Sequence, residues 1–311
     1  MVESTGLAYI FSGQGAQTVG MGRDLYDTFT SAKAIFQLAD EVTKCELTKL
    51  CFEGPEEELQ KTINAQPAIL TVSLACIKAL EEAAGSKLPM PTFVSGHSLG
   101  EYTALAVAGV IDYRTAIYLT RQRGRLMHEA GQQNRGGMVA ILGLDEAILQ
   151  QVCLETDTII ANYNCPGQYV ISGPENNLTR ASELAKERGA ARVRPLQVSG
   201  AFHSQLMKPA ANGLSEIINH TEFKPSGLPV IANVTAQPIT TVEQIKSELI
   251  NQLCTGVQWQ RSVEYMVSNG VSMFIEIGPG KVLTGLNKRI NAKIVNINVN
   301  DVPSIKEYLK L

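Results

Sequence analysis

Pro91-Thr92-Phe93-Val94-Ser95-Gly96-His97-Ser98-Leu99-Gly100 is the stretch that decides the fold: an apolar run, then a serine with a glycine two residues to either side. Pro91 to Ser95 predicts a short strand. Glu101 to Val110, rich in alanine and leucine, predicts the helix that follows. Ser98 then falls on a sharp strand-to-helix turn, the nucleophile elbow of Gly-x-Ser-x-Gly enzymes. Glycines at 96 and 100 remove the Cβ atoms that so tight a bend cannot hold. The first helical N–H groups, beginning with that of Leu99, face any negative charge forming above Ser98. The same five residues are also compatible with an ordinary surface turn.

Outward from the elbow, strand-like and helix-like runs alternate from Leu7 onward, with continuous apolar runs before the glycine-rich turns, as in parallel strands covered on both faces. The chain is therefore read as an α/β protein. Residues 133–198 break the pattern. Met138 to Gly143, Thr158 to Asn164, Tyr169 to Gly173 and Ala191 to Leu196 predict strands, and Asp145 to Glu155 and Asn176 to Gly189 predict helices. That is β-α-β-β-α-β, the ferredoxin-like order. The expected organisation is a large unit made of residues 1–132 and 199–311 with a small unit, 133–198, inserted between them. A cleft between the two is the natural ligand site.

Composition bounds the function. The chain has 311 residues, 44% of them apolar and 18% charged, enough to bury a substantial core. A net charge of −3 argues against a general nucleic-acid binder. No apolar run approaching the roughly 20 residues of a membrane span is read, nor a signal peptide, so a cytoplasmic location and no membrane partner are expected. The six cysteines contain no C-x-x-C pair, so neither a metal site nor a disulfide framework is indicated.

A serine hydroxyl needs a base within hydrogen-bond reach, most often histidine. His97 is adjacent to Ser98 on a bend, where neighbours project differently, and suits a rim role. His128 shares a helix face with Arg121, Arg125 and Glu129. His220 lies near a helix end. His203, in Ser199-Gly200-Ala201-Phe202-His203-Ser204 at the junction where the insertion returns, is the candidate base, against a structural turn histidine. Asp145 and Asp157 have the chain order of a triad acid, but both lie in the insertion. The acid role is left empty, with a backbone carbonyl or amide group expected to orient His203. In Phe11-Ser12-Gly13-Gln14-Gly15-Ala16-Gln17 the glycines do not fit a nucleotide loop. They do let the N–H of Gln14 serve as a second oxyanion donor beside that of Leu99.

Along the helix expected from Asp112 to Ala130, Arg123 shares a stripe with Ala116, Leu119, Thr120, Leu126, Met127 and Ala130. Arg123 therefore points inward and needs an anion, either a protein carboxylate or the carboxylate of a substrate.

These pieces together resemble the malonyl-CoA:acyl-carrier-protein transacylases: Gly13 to Gln17, Gly96 to Tyr102, Arg123-Gly124, Asn162 to Gln168, Gly200 to Ser204, Val257-Gln258-Trp259 and Glu276 to Leu283. The resemblance implies an α/β-hydrolase-like core with a ferredoxin-like insertion. It further implies that malonyl passes from coenzyme A to Ser98 and on to the phosphopantetheine thiol of an acidic acyl carrier protein in fatty acid biosynthesis, with no permanently bound cofactor. His203 would shuttle the proton, Gln14 and Leu99 would hold the oxyanion, and Arg123 would take the malonyl carboxylate. The carbonyl at Gln258 would orient His203, with Asn162 beside it. Leu99 and Phe202 match malonyl-selective members, and Met127 is grouped with them for acyl selectivity. Ser12 departs from the family's usual proline. A carrier would dock on basic residues among Lys186, Arg188, Arg192, Arg194, Lys281, Lys288 and Arg289. A polyketide-serving acyltransferase, a serine esterase or thioesterase, and a silent carrier-binding module are the alternatives.

Overall fold

The computed structural model describes residues 6–310. Its central strand, Gly6–Phe11 (β1), is buried from Leu7 to Phe11 on both faces, as expected of a parallel strand sandwiched between helices. The other strands follow in chain order as Phe93–Gly96 (β2), Gly137–Leu142 (β3), Ile159–Cys165 (β4), Gln168–Gly173 (β5), Arg192–Pro195 (β6), Val230–Ile231 (β7), Pro238–Ile239 (β8), Val271–Ile277 (β9) and Val295–Val299 (β10). Six of them form a sheet in the order β10-β9-β1-β2-β7-β8, parallel throughout except for β8. The remaining four form an antiparallel sheet in the order β4-β5-β3-β6.

Register fixes where chemistry can occur. In the β1–β2 pair Phe11 lies opposite Gly96, so the chain leaves both strands side by side at their carboxyl ends, the usual ligand face of a parallel sheet. The loop after β1 and the turn after β2 then meet so closely that only glycine fits. A Cβ on Gly100 would strike the Phe11 carbonyl, and one on Gly96 would strike the Gly100 carbonyl.

The small sheet has its own apolar layer, in which Val139, Ile141, Leu149, Ile171 and Leu178 pack between its strands and the helices Glu146–Thr156 and Glu175–Glu187. It is tied to the large sheet's body through an edge of β4. Tyr163 N–H donates to the Val257 carbonyl at 2.9 Å and Val257 N–H donates to the Ala161 carbonyl at 2.8 Å.

One expectation is corrected. The segment Thr62–Lys87, most of it the helix Thr62–Ala84, is long and apolar enough by length and composition to cross a membrane. Its apolar stretch is 83% buried inside the protein, where it packs against the helix Tyr113–Gln133 as a core element. It escapes notice as an apolar run because Asn64, Gln66 and Thr71 interrupt it, and Gln66 is buried for a purpose described below.

The elbow geometry makes opposite demands on different glycines. Gly96→Ala or Gly100→Ala should lower stability by at least about 2 kcal/mol through overpacking against backbone and abolish Ser98 reactivity. At Gly285, in the exposed face of the helix Val282–Ile290, a Cβ meets nothing. Gly285→Ala should stabilise by about 0.5–1 kcal/mol. Thermal melts with active-site titration check both.

Candidate active site

Ser98 sits at the tip of the turn between β2 and the helix Gly100–Val107 with φ of 51°, a left-handed conformation that costs a non-glycine residue strain. Asn233 holds it there. Its Oδ1 accepts from the Ser98 N–H at 2.6 Å, and its Nδ2 donates to the Gly96 carbonyl at 2.7 Å, so one amide spans the bend. The Ser98 N–H is thereby committed. The N–H groups of Gln14 and Leu99 have no protein acceptor among the described residues and remain free for an oxyanion.

His203 reaches the hydroxyl from the chain that returns from the small sheet: its Nε2 is 2.8 Å from Ser98 Oγ. Its Nδ1 lies 2.7 Å from the carbonyl of Gln252, an acceptor only, so Nδ1 carries the hydrogen and Nε2 presents its lone pair to the serine. Burial, aided by the Arg123 charge, pulls His203 down from 6.5 to about 3. The imidazole is therefore neutral and able to accept a proton.

The orienting carbonyl belongs to Gln252, which corrects the expectation placed on Gln258. Gln258 precedes the helix Trp259–Ser268, its N–H donating to the Asn233 carbonyl and its side chain paired with Arg261. Asn162 does line the cleft, but both His203 nitrogens are already engaged, by Ser98 and Gln252, and it makes no hydrogen bond to the ring. Among the described residues no acid stands behind His203. Asp145 caps a helix of the small unit, and Asp157 ends the same helix.

Arg123, 1% exposed, enters from the helix Tyr113–Gln133. Nη1 donates to Gln66 Oε1 at 2.7 Å, and Nη2 donates to Gln252 Oε1 at 2.8 Å and to Ser98 Oγ at 3.1 Å. Nε has no partner. Among the described residues no carboxylate pairs with it; its cage consists of amide oxygens and a hydroxyl. Neutral acceptors orient the guanidinium without cancelling its charge. Arg121 and Arg125, by contrast, are taken up by the Ile63 carbonyl with Asn64 and by Glu129 with Gln122.

Ser98, His203 and Arg123 open on a cleft of about 370 Å³ between the two sheets. Phe202, Met127 and Met138 form its apolar wall, and Leu196 and Val198 enter from the chain that follows β6. Leu99 is buried and does not line the cleft, so its side chain is not placed to sort acyl groups. His97 lines the rim with Nε2 3.0 Å from Asn164 Oδ1. His128 meets Gln132, and His220 binds the Glu216 carbonyl. A larger surface cleft of about 540 Å³ beside Asp24 and Asp301 holds no comparable nucleophile and base.

Sequence reasoning missed Gln66, Asn233 and Gln252, the neutral amides that hold the three central groups, and the buried carboxyls Glu101 and Glu248 behind them. Only Glu101 carried a signal, as an acid in the first turn of the elbow helix.

The chain matches the acyl transferase domain family over residues 8–303. It is 46% identical over 308 residues to the malonyl CoA-acyl carrier protein transacylase of Bacillus subtilis, covering 96% of this chain and 95% of that one. The crystal structure of an acyl carrier protein S-malonyltransferase from Vibrio cholerae superimposes with a TM-score of 0.93 at 42% identity, covering 98% and 100% of the two chains. A malonyl-transacylase in complex with a type II PKS acyl-carrier protein gives 0.94 at 41%, covering 98% and 99%.

The His203 environment sets a pH signature. With the imidazole neutral down to about 3, acylation of Ser98 followed by rapid quench should stay level from pH 8 to about 5. A fall centred on 6.5 would contradict the buried geometry. The unfolded chain takes up a proton below 6.5 that the folded one refuses, so this group makes stability drop as pH falls from 6.5 toward 3.

Proposed function

The chain belongs to the acyl transferase family, among its malonyl-CoA:acyl-carrier-protein transacylases, and we propose that it works through a malonyl ester on Ser98 in a ping-pong reaction. It is an enzyme that moves malonyl from malonyl-CoA to an acyl carrier protein. The observation that carries the residue assignment is the Arg123 guanidinium held by neutral amides beside a serine hydroxyl and a neutral imidazole.

As Ser98 Oγ attacks the thioester carbonyl, its proton passes to His203 Nε2, which lies 2.8 Å away. The negative charge on the carbonyl oxygen falls to the N–H groups of Gln14 and Leu99, donors of the kind of which losing one costs about 10²- to 10³-fold in rate. Collapse expels the coenzyme A thiolate, which takes the proton from His203. The carrier's thiol then gives its proton to His203 and attacks the ester, and collapse expels Ser98 Oγ, which takes that proton back from His203. The malonyl carboxylate lies on Arg123, where the free Nε–H and the second Nη1 hydrogen remain as donors. A buried site excludes water, which favours the thiol over hydrolysis.

The architecture is proposed to be a hydrolase-like core with residues 133–198 inserted as a ferredoxin-like unit between 1–132 and 199–311. The β-α-β-β-α-β order of the small sheet and its β4-β5-β3-β6 arrangement support this. A carrier protein, acidic by expectation, would dock on the exposed basic strand β6, where Arg192 and Arg194 lead to the cleft wall at Leu196. Arg188 and Arg289 are less available, being engaged by Glu155 and Gln168. Action in the cytoplasm, in fatty acid synthesis, completes the proposal; a polyketide carrier, as in one solved relative, is the alternative.

Incubation with malonyl-CoA should place a malonyl adduct on Ser98, detected by mass spectrometry, and the adduct should pass to a phosphopantetheinylated carrier. Free malonate without acyl-carrier product would mean a hydrolase. Arg123→Ala should lower kcat/KM for malonyl-CoA by about 10²-fold or more, as expected for loss of a charge-assisted pair worth roughly 3 kcal/mol, with acetyl transfer retained. Equal loss for both acyl groups would refute the carboxylate role.

A further inference from the structure

Behind the three central groups lies a pair of buried carboxyls that the reaction itself does not use. Glu101, from the elbow helix, and Glu248, from the helix Val242–Asn251, are 0% and 5% exposed. Glu101 Oε1 accepts from the N–H and the Nδ2 of Asn233 at 2.9 and 3.1 Å, and its Oε2 accepts from Gln252 Nε2 at 2.5 Å. Glu248 Oε1 accepts from the Val234 N–H at 2.8 Å. Every group facing Glu101 from the Asn233 loop and from Gln252 is a donor, and a carboxylate is an acceptor only. The amide of Gln252 must therefore turn its nitrogen to Glu101 and its oxygen to Arg123.

We propose that Glu101 is a positioning residue, the acceptor anchor that fixes the orientation of the Gln252 amide and so holds Arg123 beside Ser98. The proposal rests on Arg123 receiving the malonyl carboxylate. Burial raises both carboxyls, Glu248 to about 7, with Tyr102 and Arg123 the other titratable groups nearby. The anchor itself is geometric: three donors converge on the two Glu101 oxygens.

Glu101→Gln tests this. The backbone N–H of Asn233 cannot turn, so the new amide nitrogen takes the Oε2 place, opposes Gln252 Nε2 and displaces that amide from its contacts with the Ser98 carbonyl and Arg123. The KM for malonyl-CoA should rise at least tenfold while acetyl transfer changes less than threefold; loss of packing alone would lower both together. Equal loss for both acyl groups, or an unchanged malonyl KM, overturns the proposal. Glu248→Gln leaves the donors to Glu101 in place and should preserve the preference for malonyl over acetyl; loss of that preference overturns the assignment of the anchor to Glu101, even if Glu101→Gln fails to fold. A crystal structure of Glu101→Gln reads positioning directly. Arg123 Nη2 should leave hydrogen-bond range of Ser98 Oγ, and an unmoved network overturns the proposal. An Arg123→Ala control that loses both acyl groups alike would instead sink the carboxylate role, with the displaced arginine still visible.

Discussion

A guanidinium buried to 1% exposure and held only by neutral oxygens is the constraint around which the site is arranged. An unpaired buried charge is costly, several kcal/mol even after relaxation. The structure offsets this with two amide acceptors and, one hydrogen bond further away, the Glu101 carboxyl behind Gln252. A direct partner carboxylate would be the cheaper way to stabilise the fold, but it would leave no field for a substrate anion. On the proposed carboxylate role of Arg123, stability is given up where binding needs an uncompensated charge.

Gln252 concentrates the arrangement in one residue. Its backbone carbonyl fixes the His203 tautomer, its side-chain oxygen holds Arg123, and its side-chain nitrogen bonds the Ser98 carbonyl and Glu101. Nucleophile, base and cation therefore share a support. A carbonyl suffices behind His203, where hydrolases use an acid, because the adjacent Arg123 cation would oppose an imidazolium in any case. In the proposed reaction the imidazolium formed there is a strong acid and gives its proton readily to a departing thiolate.

Much of this was legible in the sequence because it depended on local pattern. The elbow followed from glycines spaced around Ser98, the inward Arg123 from helical periodicity, and the small sheet from strand and helix order between Met138 and Leu196. What was illegible depended on contacts across the fold. Gln66, Asn233 and Gln252 are polar residues at unremarkable places, in a core helix, a loop and a helix end, and nothing local distinguishes them from solvated amides. Gln258 was assigned a role that belongs to Gln252, six positions earlier, because nothing in the local pattern tells which carbonyl the fold carries up to His203. The buried helix Thr62–Ala84 shows the converse, since its polar Gln66 looked like a break in an apolar run and is instead the arginine's acceptor.

The claim that the cage must be neutral is tested most directly at Gln66, where Gln66→Glu exchanges an amide for a carboxylate of nearly the same shape opposite Arg123. Binding of malonyl-CoA and acetyl-CoA to Ser98→Ala protein, with and without Gln66→Glu, should be measured by calorimetry. The carboxylate should neutralise the guanidinium and weaken malonyl-CoA binding by about tenfold or more, roughly 1.4 kcal/mol, while acetyl-CoA binding stays the same. An undiminished preference for malonyl-CoA in the Gln66→Glu protein would contradict the account.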